Sequence, residues 1–117
     1  MTRREQREAI IFKLYRYDLV QTKDEDDELP LFNEIVTHIE SIDAIIEDAL
    51  ERYKLSRLSY LDRAIIRLAT YEMVYTDTPK AIIIDEAIEL TKAYSDIDDK
   101  QRKFNNRLLQ NIKESLD

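Results

Sequence analysis

The chain is predicted to be all-α, and three observations carry that expectation. Apolar residues recur at three- and four-residue steps in Leu61, Ile65 and Leu68, and again in Phe104, Leu108, Ile112 and Leu116, which is the spacing of one helix face. No stretch alternates with a period of two over a useful length, so strands have no support. The chain has 117 residues, enough for one core but not for a second catalytic module, so a single domain is expected over residues 1–117.

The elements follow in order. A first helix over 3–20 carries the apolar positions Ile10, Ile11 and Leu14. The acidic run Asp24 to Glu28 before Pro30 is expected as an exposed loop. Helices over 31–40 and 42–54 come next, with Ser41 able to cap the second of them. Ser59 with Asp62 loosely imitates a capping box for a helix over 60–76. Thr78-Pro79 places proline where a helix tolerates it, at the start of 80–95. The last helix spans 99–116, and no repeat or low-complexity tract is present.

Composition excludes several chemistries. The chain has no cysteine, which removes disulfides, thiolate catalysis and cysteine zinc sites. It has no glycine, which removes glycine-dependent phosphate loops. The longest apolar run, Ala81 to Ile84, is too short to cross a bilayer, and the charged N-terminus leads into no signal core. A cytoplasmic protein without a membrane partner is expected. His38, the single histidine, cannot join a multi-histidine metal site. The acidic run lacks the ordered ligand spacing of a calcium loop. No metal or cofactor is expected.

The net charge of −7 argues against a nucleic-acid partner until its distribution is considered. Residues 21–50 hold ten acidic side chains against one lysine, more than the whole excess. Residues 1–20 hold five basic against three acidic side chains, and 98–107 hold four against two. Both ends of the chain could face phosphate, although such patches are also common as solvated faces.

Two charged positions sit on apolar stripes. Arg3 and Arg7 fall on the side of the first helix that carries Ile10, Ile11 and Leu14, with Arg4 close by. Burying three unpaired guanidinium groups would cost several kcal/mol, so this end is expected to overhang the core as a cationic edge, unless it is simply frayed. Glu72 lies on the stripe of the fourth helix and needs a helix N-terminus or an arginine to satisfy it. A general acid or base is the disfavoured alternative, because no second catalytic group is identifiable.

The segments Arg3-Arg4-Glu5-Gln6-Arg7-Glu8, Leu14-Tyr15, Leu61-Asp62-Arg63-Ala64-Ile65-Ile66-Arg67, Tyr71-Glu72, Ile84 to Leu90 and Lys103 to Leu109 together resemble the NusB family of bacterial transcription antitermination factors. The resemblance covers nearly the whole chain, is strongest from Leu58 to Leu109, and implies two small helical subbundles. It implies a factor for antitermination and ribosomal-RNA processing that holds boxA-type single-stranded RNA with the ribosomal protein NusE, inside an RNA polymerase antitermination complex, without catalysis. It leaves homodimerisation open.

Residue by residue, the resemblance implies RNA contacts at Arg3, Arg4, Arg7, Tyr15, Arg67, Lys80, Lys103, Phe104, Asn106 and Arg107. It implies partner contacts at Asp62, Asp99 and Lys100, with Asp62 exposed. Tyr17 and Phe104 each have a core alternative, preferred for Tyr17. The chain departs from the family in having Glu5 and Gln6 among its arginines, Phe12 where glutamine is familiar, Asn105 and Arg107 in place of valine and glycine, and Lys100 at an acidic partner position. Those departures keep open a protein–protein scaffold that has lost RNA binding. The RNA-positioning domain of a cytosine methyltransferase shares the fold, but no catalytic domain follows Asp117.

Overall fold

The computed structural model describes residues 1–21, 28–51, 54–94 and 99–117. Six α-helices follow in chain order: α1 Arg3–Val20, α2 Pro30–Thr37, α3 Ile39–Leu50, α4 Tyr60–Tyr75, α5 Lys80–Tyr94 and α6 Asp99–Leu116, with a 3₁₀ turn at Leu55–Arg57 ahead of α4. No strand occurs among the described residues. Most of the predicted acidic loop, Asp24 to Asp27, lies outside them.

The helix ends show how the sequence sets the boundaries. Thr2 and Glu5 form a reciprocal capping box at the start of α1, each side chain taking the other's backbone N–H at 3.1 Å. Ser59 caps α4, accepting from the Asp62 N–H at 3.1 Å while its hydroxyl donates to the Asp62 carboxylate at 2.8 Å. The carbonyl of Pro79 accepts from the N–H groups of Ile82 and Ile83 as α5 begins. Without glycine, α1 ends on Gln21 in the left-handed region, at φ 58° and ψ 36°, where a Cβ costs about 1–2 kcal/mol.

The α2–α3 boundary differs from the prediction. The break falls at His38, whose N–H is shared by the carbonyls of Glu34 and Ile35 at 3.2 and 3.1 Å, and whose Nδ1 lies 2.9 Å from the Glu34 carbonyl oxygen. Ser41 is therefore inside α3, donating to the His38 carbonyl at 3.0 Å, and caps nothing. At its other end α3 stops at Leu50 rather than running to 54.

Helix α4 is the hub. Every residue from Ala64 to Met73 is buried, and α4 packs against each of the other five helices. A helix enclosed on all sides cannot keep polar residues on a free face, so the charged residues within it must find partners inside the protein. Helices α1 and α2 pack with α4 as one group, and α3, α5 and α6 pack with it as another. The two subbundles share one apolar core, with Ile11, Leu14, Ile35, Ile46, Ile66, Leu109 and Ile112 among its members.

Candidate nucleic-acid interface

The first helix divides its arginines between interior and surface. Arg7 is buried, and its Nε and one terminal nitrogen donate to the two carboxylate oxygens of Glu72 at 2.9 and 2.8 Å. Glu86 on α5 adds a contact at 4.0 Å. Hydrogen bonding to Glu72 raises the Arg7 pKa against the opposing effect of burial. The expectation of an overhanging Arg7 is thereby corrected: the stripe continues as arginine because α4 supplies the carboxylate that neutralises it. The same pair answers the question posed by Glu72, which an arginine satisfies.

Arg3 and Arg4 are exposed. Arg3 donates to the Thr78 hydroxyl at 3.0 Å, and Arg4 lies 3.4 Å from Glu8 one turn along the helix. Contacts this exposed are worth little and are readily exchanged.

Arg67, expected near RNA, is also buried. It donates through Nε and one terminal nitrogen to Asp43 on α3, both at 2.8 Å, and through the other to Asp18 on α1 at 2.9 Å. Burial alone would lower its pKa, but the hydrogen bonds and charges of Asp43 and Asp18 outweigh it and the pKa rises. This guanidinium ties three helices together and does not face solvent. Asp18 had a signal in the sequence, since it continues the Arg7, Ile11, Leu14 stripe by one further step, an acid where an apolar residue is due.

Asp62 is buried rather than exposed, at 2 % accessibility. The Asn105 side-chain amide donates to it at 3.0 Å and Ser59 donates to its other oxygen. Asn105, wholly buried, accepts in turn from Gln101 at 3.0 Å. Asn105 thus pins the start of α6 to the start of α4. With it held inward, Lys103, Asn106 and Arg107 are exposed around it and Phe104 is half-buried, packing partly against the core. Phe104 and Arg107 line one shallow groove with Leu50 and Asn111.

The remaining expected residues are scattered. Lys100 and Asp99 are exposed at the start of α6, where Asp99 pairs with Arg102. Lys80 is half-buried and lies 3.4 Å from Asp117. Tyr17 packs against the core, its ring 6.5 Å from that of Phe32.

Tyr15 is exposed and meets Tyr60 edge to face, centroids 6.2 Å apart. One turn earlier Phe12 meets Tyr94 of α5 in the same manner at 5.1 Å. The sequence reasoning did not assign Phe12, Tyr60 or Tyr94. Only their aromatic type stood out, and nothing in one-dimensional spacing pairs residues of α1 with α4 and α5. Among the described residues, no group of three or more histidine, cysteine or acidic side chains could hold a metal ion, and no helix is long and apolar enough to cross a membrane.

Comparison with known proteins places the chain. A model of the NusB family matches residues 14–114. A transcription antitermination protein NusB from a Nitratiruptor species is 37% identical, over 95% of this chain and 91% of the relative. The structure of T. maritima NusB superposes with a TM-score of 0.82 at 30% identity, covering 97% of this chain and 92% of the other. A crystal structure of the antitermination factors NusB and NusE in complex with dsRNA has the same fold, with a TM-score of 0.74 at 24% identity, covering 98% of this chain and 99% of that one.

Proposed function

This chain belongs to the NusB family of transcription antitermination proteins, and on that premise we propose that it holds boxA-type single-stranded RNA together with the NusE ribosomal protein. It acts as one domain over residues 1–117, in the cytoplasm, within an RNA polymerase antitermination complex and in ribosomal-RNA processing. Its work is recruitment without catalysis: the one buried carboxylate that invited an acid–base role, Glu72, is held in a bidentate ion pair with Arg7.

The observation that carries the reading is the α6–α4 pin. By satisfying Asn105 and Asp62 inside the protein, it leaves Lys103, Asn106 and Arg107 outward beside Phe104. Charge for a phosphate chain and a flat face for an unpaired base then occupy one surface. Tyr15, paired with Tyr60 at the start of α4, lies at the same end of α4 as the pin, while Arg3 beside Thr78 and Lys80 beside Asp117, with Arg4, stand at the far end for phosphates further along the strand, and Asp99 and Lys100 serve the protein partner. Arg7, Arg67 and Asp62 act as positioning residues, since each is buried and already partnered. Homodimerisation remains outside this reading.

A second reading has one observation in its favour. With Arg7 and Arg67 consumed by internal carboxylates, the cationic surface is thinner, as in a protein–protein scaffold of this fold that has lost RNA binding. An electrophoretic shift experiment separates the two, using a boxA-like RNA, a scrambled RNA and a duplex of the same length, each with and without NusE. The RNA reading expects weak binding by the chain alone and tight binding by the pair, selective for the boxA-like strand. Equal binding of all three RNAs by the pair would favour the scaffold.

A further inference from the structure

One face of α1 is built unlike a solvated helix surface. At 100° per residue, Arg4, Glu8, Phe12 and Tyr15 fall on a single stripe. Phe12 is 50% and Tyr15 37% exposed, although neither would be left in water if the stripe were only a core boundary or only a polar face. Each ring is matched by an aromatic from a neighbouring helix, Phe12 by Tyr94 at an interplanar angle of 85° and Tyr15 by Tyr60 at 82°. Three residues separate Phe12 from Tyr15, so the two corners lie about 4.5 Å apart along the axis.

Both corners are held rigid from behind. The Tyr94 hydroxyl donates to the Glu8 carboxylate, which raises the tyrosine's pKa, and Arg4 lies 3.4 Å from the same carboxylate. The Arg63 guanidinium lies over Tyr60, 5.0 Å from the ring centroid. Arg63 is anchored by the carbonyls of Ser56 and Leu58 at 3.3 and 3.2 Å and by Asp18 at 3.5 Å. Its Nε is buried without a hydrogen-bond partner. A perpendicular ring pair suits a nucleobase, because a base stacked on the edge-on ring presents its own edge to the second ring.

We propose that the two aromatic corners, Phe12 with Tyr94 and Tyr15 with Tyr60, form a track that stacks consecutive bases of a single RNA strand. Arg4 at one end and the exposed Arg16 at the other take the phosphates. The track deepens the RNA-binding reading and rests on it, adding Phe12, Tyr60, Tyr94 and Arg63 to the interface. Charge complementarity favours RNA over an apolar protein segment: in a chain of net charge −7, the cations at the two ends of the stripe are the exposed Arg4 and Arg16, and Glu8 between them is engaged by the Tyr94 hydroxyl.

The test measures affinity of the full chain with NusE for a boxA-like single-stranded RNA, by fluorescence anisotropy across a salt series. Phe12→Ala and Tyr60→Ala should each weaken binding roughly five-fold or more and leave the slope against salt unchanged, as loss of a stacked base does. Phe12→Tyr and Tyr60→Phe should bind as the native chain. Thermal melts should stay close to native, because both rings are substantially exposed. Native-like affinity of both alanine variants, with tight selective binding by the native pair, would overturn the track while the broader RNA reading stands. Failure of the native pair to bind RNA would overturn both. Loss of NusE affinity in the absence of RNA would overturn the track as well and assign these rings to the protein partner.

Discussion

Removing the cation from the Arg7–Glu72 pair should reveal it as a structural tie and not a ligand contact. In Arg7→Met the apolar volume is largely kept, but Glu72, at 5% accessibility, is left with no cation bonded to its carboxylate. Breaking one half of such a buried pair costs about 3–5 kcal/mol, against a total stability of roughly 5–15 kcal/mol for a domain of this kind. Each kcal/mol moves the midpoint of a chain this size by several degrees, so melting followed by circular dichroism should drop by roughly 10 °C or more. Glu72→Gln should fall in the same direction. The double variant Arg7→Met/Glu72→Leu should recover most of the loss, because it removes both charges together. In the protein that remains folded, the salt dependence of RNA binding should be native. If Arg7→Met costs under about 1 kcal/mol and instead flattens that salt dependence, Arg7 swings free in solution and contacts phosphate, and the structural account of α1 is wrong.

Other perturbations follow from the same geometry. Asp62→Lys should destabilise by several kcal/mol, since it buries an unpaired ammonium against Asn105; a native melting curve would place Asp62 at the surface. Arg67→Met should cost about 3–5 kcal/mol by stranding Asp18 and Asp43, and denaturant unfolding showing a loss below 1 kcal/mol would remove its tying role. Burial first, then the charge of Glu34 and the neighbouring Tyr75, raise the Tyr71 pKa above its usual 10.0. The fold therefore favours its neutral hydroxyl, so this contribution to stability is complete below about pH 10 and is lost as pH rises through the higher folded value. In absorbance titration of the seven tyrosines, Tyr71→Phe should delete a late-titrating component, and deletion of an early one would contradict the assignment.

Much of the architecture was legible because helices announce themselves by spacing. The bounds of α1 and α6 agree with the prediction at both ends, α4 ends one residue earlier than predicted, and α5 agrees from Lys80 to Tyr94, the predicted residue 95 lying outside the described residues. The α2–α3 junction was not, because its signal is a shared hydrogen bond at His38 and not a cap residue. Thr2 and Glu5 stood at capping-box spacing and were legible though unread. The buried ion pairs were half legible: Arg7 and Glu72 each stood out as a charge on an apolar stripe. Their pairing required knowing that α1 lies against α4, which spacing along one chain does not encode. Arg67 and Asp62 misled for a different reason. Their surface roles came with the resemblance and not from spacing, while α4, buried throughout from Ala64 to Met73 and packed by the other five helices, turns their charges inward.

The central claim is that exposed cations at the ends of the chain, and not the buried arginines, hold a single RNA strand with NusE. The most direct measurement is the salt dependence of boxA-like RNA binding by the native pair and by the pair carrying Arg3→Gln and Arg4→Gln. The account predicts selective binding by the native pair, a log–log slope reduced in magnitude by up to about 1.4 in the variant, at roughly 0.7 for each phosphate released, and an unchanged preference over the scrambled strand. An unaltered slope, with boxA-like and scrambled RNA bound equally, would contradict it.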